Sequence, residues 1–227
     1  RAGQHAAQVR VPEEGLSRVA APIAVIDFET TGMAPAQGAR ATEVAIVLME
    51  GEQVVDRFDS LMRTGVPIPP FIEQLTGISN AMLATAPPAE AVMREAARFV
   101  GSAPMVAHNA AFDSKFWQSE LQHAGLAAPQ PFACTVLLSR RVFPDAPSHS
   151  LGRITDHLGL PRTGRAHRAL ADAEMAAALL ARMQRELCQR FGLDWPDHAL
   201  LMQLQRCARQ SMGKLLDRLT MGALRAS

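Results

Sequence analysis

Lysine is almost absent from this chain. Only Lys115 and Lys214 occur, so nearly all positive charge is carried by arginine, a bias we read as genomic composition together with the abundant alanine. Bulk charge of either sign is also missing. With 23 basic and 22 acidic side chains, the protein does not carry the field of one that coats nucleic acid, and any phosphate binding has to be local. The three cysteines, Cys134, Cys188 and Cys207, are odd in number, far apart and without metal-ligand spacing. That argues against a disulfide framework or a zinc site and favours a reducing cytoplasm. No apolar run reaches the roughly 18 residues of a membrane span, and the N-terminus lacks the charged, apolar, small order of a secretion signal. A soluble, cytoplasmic protein without a membrane partner is the expectation.

The 227 residues are 48% hydrophobic, enough for one domain with a substantial core. Residues 1–21 show no sustained periodicity and read as a flexible arm. The organised part begins at Pro22. Ile23 to Phe28 is short, apolar and rich in β-branched residues, and Thr30-Thr-Gly32 ends it as a turn, which predicts a central buried strand. Thr42 to Met49 and Gln53 to Met62 are strand-like and separated by Glu50-Gly-Glu52, predicting an antiparallel hairpin beside the first strand.

Beyond the proline breaker at 67–70 the period becomes helical, at Phe71 to Leu75 and from Ala89 to Val100, with Gly101 as a stop. Met105-Val-Ala107 resumes the sheet. Helices are predicted at 110–124, 135–142, 150–158 and, alanine-rich, from about Ala169 to Arg190. Strands followed by alternating strand and helix indicate an α/β domain around a mixed sheet. After Asp194-Trp-Pro-Asp197 a stripe at steps of three and four runs through Leu201, Leu204, Ala208, Met212, Leu215 and Leu219. It predicts a helical C-terminal segment over 191–227. Either this segment packs back on the domain, or it docks a polymerase subunit or a second copy of the chain.

Acidic residues stand at element ends. Asp27 and Glu29 are two apart at the end of the first strand and leave one face of the sheet. Asp113 falls in the first turn after Met105-Val-Ala107. His167 lies at the entry of the long helix, with Asp172 about one turn further on. Each alone reads equally as a surface or capping residue. Together they make four carboxylates and one histidine in the order D-x-E, D, H-x4-D. Oxygen donors of this kind suit Mg²⁺ or Mn²⁺ and leave the histidine free to act as a base.

Asp27-Phe-Glu-Thr-Thr-Gly32, Leu75-Thr-Gly-Ile78, Val106-Ala-His-Asn-Ala-Ala-Phe-Asp113 and His167-Arg-Ala-Leu-Ala-Asp172 resemble the motifs of DEDDh 3′→5′ exonucleases, in the style of the proofreading epsilon subunits of bacterial DNA polymerase III. The resemblance covers roughly residues 22–183, and we expect the exonuclease domain to span 22–190. It implies a ribonuclease H-like fold with a mixed five-stranded sheet flanked by helices. It also implies two-metal hydrolysis of the terminal phosphodiester, releasing nucleoside monophosphates from a 3′ end.

On that pattern Asp27 bridges two divalent cations, Glu29 and Asp172 complete one site, Asp113 supports the other, and His167 deprotonates the attacking water, a role suited to histidine. Thr30 and Met33 match positions that contact the terminal nucleotide, and His108, Asn109 and Phe112 would line the same pocket. Single-stranded DNA is the favoured substrate and RNA the alternative. A different class of function, a binding or polymerase-associated module without catalysis, is opposed by the filled catalytic set. One departure is Cys134, where the family often has aspartate; a local structural consequence is expected there.

Overall fold

The computed structural model describes residues 21–226. The expected arm therefore lies, Ala21 apart, outside the described residues. Strand β1 (Ile23–Thr30) pairs antiparallel with β2 (Ala41–Glu50), which pairs antiparallel with β3 (Gln53–Leu61) across the Gly51 turn. Two short helices follow, α1 (Pro70–Thr76) and α2 (Asn80–Thr85), and then α3 (Ala89–Val100). Strand β4 (Met105–Ala107) runs parallel to β1, and after α4 (Ala110–His123) strand β5 (Phe132–Cys134) runs parallel to β4. The sheet order is β3-β2-β1-β4-β5. Helices α5 (Thr135–Val142), α6 (Leu151–His157) and α7 (Ala169–Phe191) complete the domain. The fold is a ribonuclease H-like α/β fold with a mixed five-stranded sheet, as expected.

Two-residue alternation along the strands divides the interior into two cores. Val25, Ala45, Val47 and Val106 face α7 on one side, whereas Ala24, Ile26, Val44 and Ile46 face α3 and α4 on the other. Helix α7 buries Ala169, Ala173, Ala176, Ala177 and Ala181, small side chains that let its backbone lie close to β1 and β2. Burial of this kind contributes about 25 cal/mol per Å² of apolar surface, which makes the sheet and α7 one unit.

Two buried glutamates fasten the start of β2 to a helix on each face. Glu120 of α4 receives Arg40 through Nε and Nη2, both at 2.9 Å, and the Ala41 amide at 2.9 Å. Glu43 receives Arg168 and the first amide of α7, as described below.

Two expectations need correction. Helix α2, capped by the Ser79 hydroxyl that accepts from the Met82 amide at 3.1 Å, has no counterpart in the sequence reading. The C-terminal stripe is not one helix but two, α8 (His198–Leu204) and α9 (Met212–Ala226), with residues 205–211 turning between them. Leu201, Leu204, Met212 and Leu216 join the α7 core, while Ala208 and Leu219 are exposed.

The turn has a physical cause. The Gln205 side chain accepts from the Cys134 amide at 2.7 Å and donates to the Phe132 carbonyl at 3.2 Å, occupying the free edge of β5. Arg141 Nε donates to the Cys207 carbonyl at 2.8 Å and holds the turn from the other side. Cys134 lies at this same place. It caps α5 without a side-chain hydrogen bond, and its own amide is taken up by Gln205.

Candidate active site

Strands β1, β4 and β5 are parallel, so their carboxyl ends share one edge of the sheet, and chemistry collects there. Asp27 and Glu29 leave β1 on the α7 face. Their backbone partners in β2 are Ala45 and Glu43. The pairing register then shifts between Glu29 and Thr30, which turns the strand end outward. Asp113 arrives from the opposite face. It is almost fully buried in the first turn of α4, and its Oδ1 accepts the Phe28 amide at 3.3 Å, which seats it against the end of β1.

On the α7 side, one oxygen each of Glu29 and Asp172 and one ring nitrogen of His167 lie within 4.8 Å of one another. The His167 amide donates to Asp172 Oδ2 at 3.2 Å. His167 and Asn109 are the two described non-glycine residues with positive φ, at 61° and 70°. Both stand where the chain enters a helix of this site, the kind of backbone strain that concentrates at functional positions.

The carboxylates cannot all be comfortable as anions. Burial, then Asp172, Glu43 and Asp113, push Glu29 up to about 8, against a smaller pull from Arg168. Burial likewise raises Asp113 to about 8 despite the Phe28 amide. Asp27 is held well above the usual carboxylate range by burial and by its acidic neighbours Asp113, Glu29, Asp172 and Glu43. Asp172 is raised by burial, opposed by the His167 amide. An oxygen-rich cluster that resists losing its protons is short of positive charge, and hard divalent cations supply it.

The five other predicted residues divide between rim and wall. Thr30 ends β1, nearly buried, with its hydroxyl donating to the Gly32 carbonyl at 2.7 Å. Met33 is 78% exposed in the bend that follows. Asn109 is exposed at the N-cap of α4, and Phe112 packs half-buried against Phe116, ring centroids 4.9 Å apart. His108 is turned toward α5, where its Nδ1 meets the Thr135 hydroxyl at 2.9 Å, and burial pulls it down to about 4. A neutral ring at physiological pH follows.

Comparison with known proteins gives the family of the chain. The sequence profile of the exonuclease family (RNase_T) matches residues 24–180. The chain belongs to the exonuclease family. Among its relatives, this exonuclease-family chain is 35% identical over 183 residues to the DNA polymerase III subunit epsilon of Aquifex aeolicus (strain VF5), covering 80% of this chain and 89% of that one. It is 38% identical over 194 residues to the 3′-5′ exonuclease DinG of Bacillus subtilis (strain 168), covering 85% of this chain but 20% of the relative. Similarity to PolC-type DNA polymerase III of Bacillus cereus covers 12% of that protein. The chain thus corresponds to a small part of several relatives.

A solved structure of Exonuclease X in complex with 5′ overhanging duplex DNA superposes with a TM-score of 0.62 at 27% identity, covering 81% of this chain and 99% of that one. The nuclease domain of 3′hExo, a DEDDh family member bound to rAMP, shares the fold with a TM-score of 0.64 at 23% identity, covering 76% and 96%.

Sequence reasoning missed Glu43 and Arg168. Glu43, 3% exposed, accepts Arg168 Nη2 at 2.6 Å, Arg168 Nε at 3.1 Å and the Ala169 amide at 2.9 Å. It therefore caps α7 and grips the residue after His167. The available signal was an acidic residue inside the otherwise apolar run of β2, where a charge without a partner would be costly.

Proposed function

We propose that this exonuclease-family chain is a metal-dependent 3′→5′ exonuclease of the DEDDh type, cleaving terminal phosphodiester bonds of DNA in the cytoplasm and releasing nucleoside monophosphates. The observation that carries the reading is the meeting of Asp27 and Glu29 from β1, Asp113 from α4, His167 from the loop entering α7 and Asp172 from α7 at one sheet edge, with Glu29, His167 and Asp172 donors within 4.8 Å.

Asp27, Glu29, Asp113 and Asp172 fit two divalent cations, Mg²⁺ or Mn²⁺, because they are oxygen donors gathered at one edge whose burial raises each of them above the usual carboxylate range, a cost that positive charge relieves. When bound, the cations supply neutralisation of the phosphate and polarisation of the attacking water. His167, exposed at the mouth of the cluster, takes the proton from that water. The bond between its amide and Asp172 ties the base to the carboxylate set. Asp113, anchored on the Phe28 amide, keeps α4 and β1 at a fixed separation during turnover.

Thr30 and Met33 receive the terminal nucleotide, Met33 as an apolar wedge against a base. His108, neutral and braced by Thr135, Asn109 at the rim and Phe112 on the wall line the path of the strand. Residues 22–190 form the catalytic domain. In the C-terminal segment, 191–227, Gln205 braces β5, and docking of a polymerase subunit would use the outer side of α9. DNA is favoured as substrate because relatives in the family are named as DNA polymerase III components.

Digestion of matched single-stranded DNA and RNA, labelled at either end, with and without Mn²⁺, tests polarity, sugar preference and metal need together. Mononucleotide release from the 3′ end of DNA, dependent on metal, is expected. Activity confined to RNA would transfer the assignment to an exoribonuclease.

A further inference from the structure

The strap between α6 and α7 is tied down at three points. Arg162 Nε donates to Asp156 Oδ1 at 2.8 Å, and the Thr163 hydroxyl donates to the Ala171 carbonyl at 3.3 Å. The third tie is a close approach. A Cβ built on Gly77 would stand 2.9 Å from Arg165 Cζ, so the guanidinium lies directly on the glycine backbone. Gly77 ends α1 with φ +75°, and glycine alone satisfies both the turn and the contact. Gly164, φ +65°, brings the strap equally close to α7, where a Cβ would meet Ala171 Cβ at 3.2 Å. Arg165 is exposed and has no ion pair or hydrogen-bond partner among the described residues.

The place of this contact matters more than its strength. β3 is parallel to β1, since both are antiparallel to β2, so the segment after Leu61 that carries α1 and α2 leaves from the same sheet edge as Glu29. Arg165 is two residues before His167. Its contact with Gly77 therefore bridges the loop carrying the base and the loop after α1, at the β2–β3 end of the carboxylate edge. At the other end, past β4, the loop entering α4 is tied to α5, among the described residues, only by the neutral His108 ring, whose Nδ1 meets the Thr135 hydroxyl at 2.9 Å.

We propose that Arg165, seated on Gly77, is the closed end of the cleft. It stops a nucleic-acid strand at its 3′-terminal nucleotide and makes cleavage depend on a free 3′ end. The proposal rests on the exonuclease reading above and adds a residue that determines specificity. A terminal 3′-hydroxyl can be met by the uncommitted guanidinium N–H groups. An internal nucleotide continues into a further phosphate and sugar, which on this proposal the bridge would turn away.

The test compares oligonucleotides ending in a 3′-hydroxyl or a neutral 3′-O-propyl cap, digested by wild type, Arg165→Ala, Arg165→Lys, Gly77→Ala and the Arg165→Ala/Gly77→Ala pair. Wild type should strongly prefer the free end. Arg165→Ala should lose roughly tenfold of that preference, the weight of one hydrogen bond to a charged group. The capped strand should become faster as the free one slows, a crossover that general damage to the fold does not produce. Gly77→Ala displaces the guanidinium and should reproduce the effect, the pair should add little, and Arg165→Lys should retain part of the preference.

Thermal unfolding of each variant confirms that it is folded. A folded Arg165→Ala protein that keeps the wild-type preference, or slows on both ends by the same factor, overturns the proposal. Wild type that releases no mononucleotide overturns the exonuclease reading, and this proposal with it.

Discussion

Replacing Glu43 probes how His167, the proposed base, is held, without touching a residue assigned to the cations. In Glu43→Ala the Ala169 amide at the start of α7 loses its acceptor and Arg168 loses both of its contacts. Losing a helix cap costs about 1 kcal/mol, and breaking a fully buried ion pair costs about 3–5 kcal/mol. The Arg168 side chain is 37% exposed and can turn to water, so most of the second figure is recovered. A total near 2 kcal/mol remains, which lowers Tm by roughly 5 °C in a chain of this size. Activity should suffer more than stability. His167 sits in a left-handed backbone conformation one residue before the gripped arginine, and freeing that arginine lets the imidazole leave its working position. We expect kcat to fall at least tenfold with KM nearly unchanged. Glu43→Gln, which keeps an acceptor for Ala169, should recover most of the stability and part of the rate. Steady-state kinetics and calorimetry on the two variants decide it. A Glu43→Ala protein with wild-type Tm and kcat would refute the reasoning.

Further outcomes follow from the same geometry. Glu29 and Asp113, at about 8 in the folded protein, are ionised near neutrality in the unfolded chain. Their folded values are raised, so the stability they contribute is full below about pH 4 and is lost as pH rises toward 8. Metal-free protein should therefore melt at a lower temperature at pH 8 than at pH 5.5, and Mn²⁺ should reverse the loss; a flat profile by calorimetry would contradict the charge frustration described above. Asp113→Asn keeps an acceptor for the Phe28 amide while removing one charge. It should raise the metal-free Tm at pH 8 and abolish cleavage, and a lower Tm would oppose the same account. His167→Ala should lower turnover by two orders of magnitude or more and leave Mn²⁺ affinity by titration calorimetry largely intact; wild-type rates across neutral pH would remove histidine as the base. Gln205→Ala should cost about 1–2 kcal/mol and speed hydrogen exchange at Cys134, because two edge groups of β5 lose their partner; unchanged exchange there would mean that the glutamine does not protect the edge.

Much of this protein is legible in one dimension because its signals are local. The short apolar run Ile23 to Phe28, the Gly51 turn, and the helical period of Ala89–Val100 with its Gly101 stop place β1, the hairpin and α3 from their own residues. The candidate site is legible for another reason, since its acids stand at element ends where only the joint order is unusual. What escaped depends on distance along the chain. Glu43 and Arg168 are 125 residues apart, and neither betrays the other. β5 is three residues long and is secured by Gln205, 71 positions from Cys134. The C-terminal stripe kept its three-and-four spacing across residues 205–211, so periodicity could not reveal a turn made by side-chain bonds to another strand. The Arg165–Gly77 contact was equally invisible, because each glycine in a loop reads alike until something is found lying on it.

The central claim is that the carboxylate edge performs metal-dependent removal of nucleotides from a 3′ end. A 5′-labelled single-stranded DNA incubated with Mn²⁺ and either wild type or Asp27→Ala tests it most directly. The account predicts a ladder shortening stepwise from the 3′ end with wild type, no ladder when Mn²⁺ is removed by chelation, and none with a folded Asp27→Ala protein. Shortening that persists in the Asp27→Ala protein, or the immediate appearance of labelled mononucleotide from the 5′ end, would contradict it.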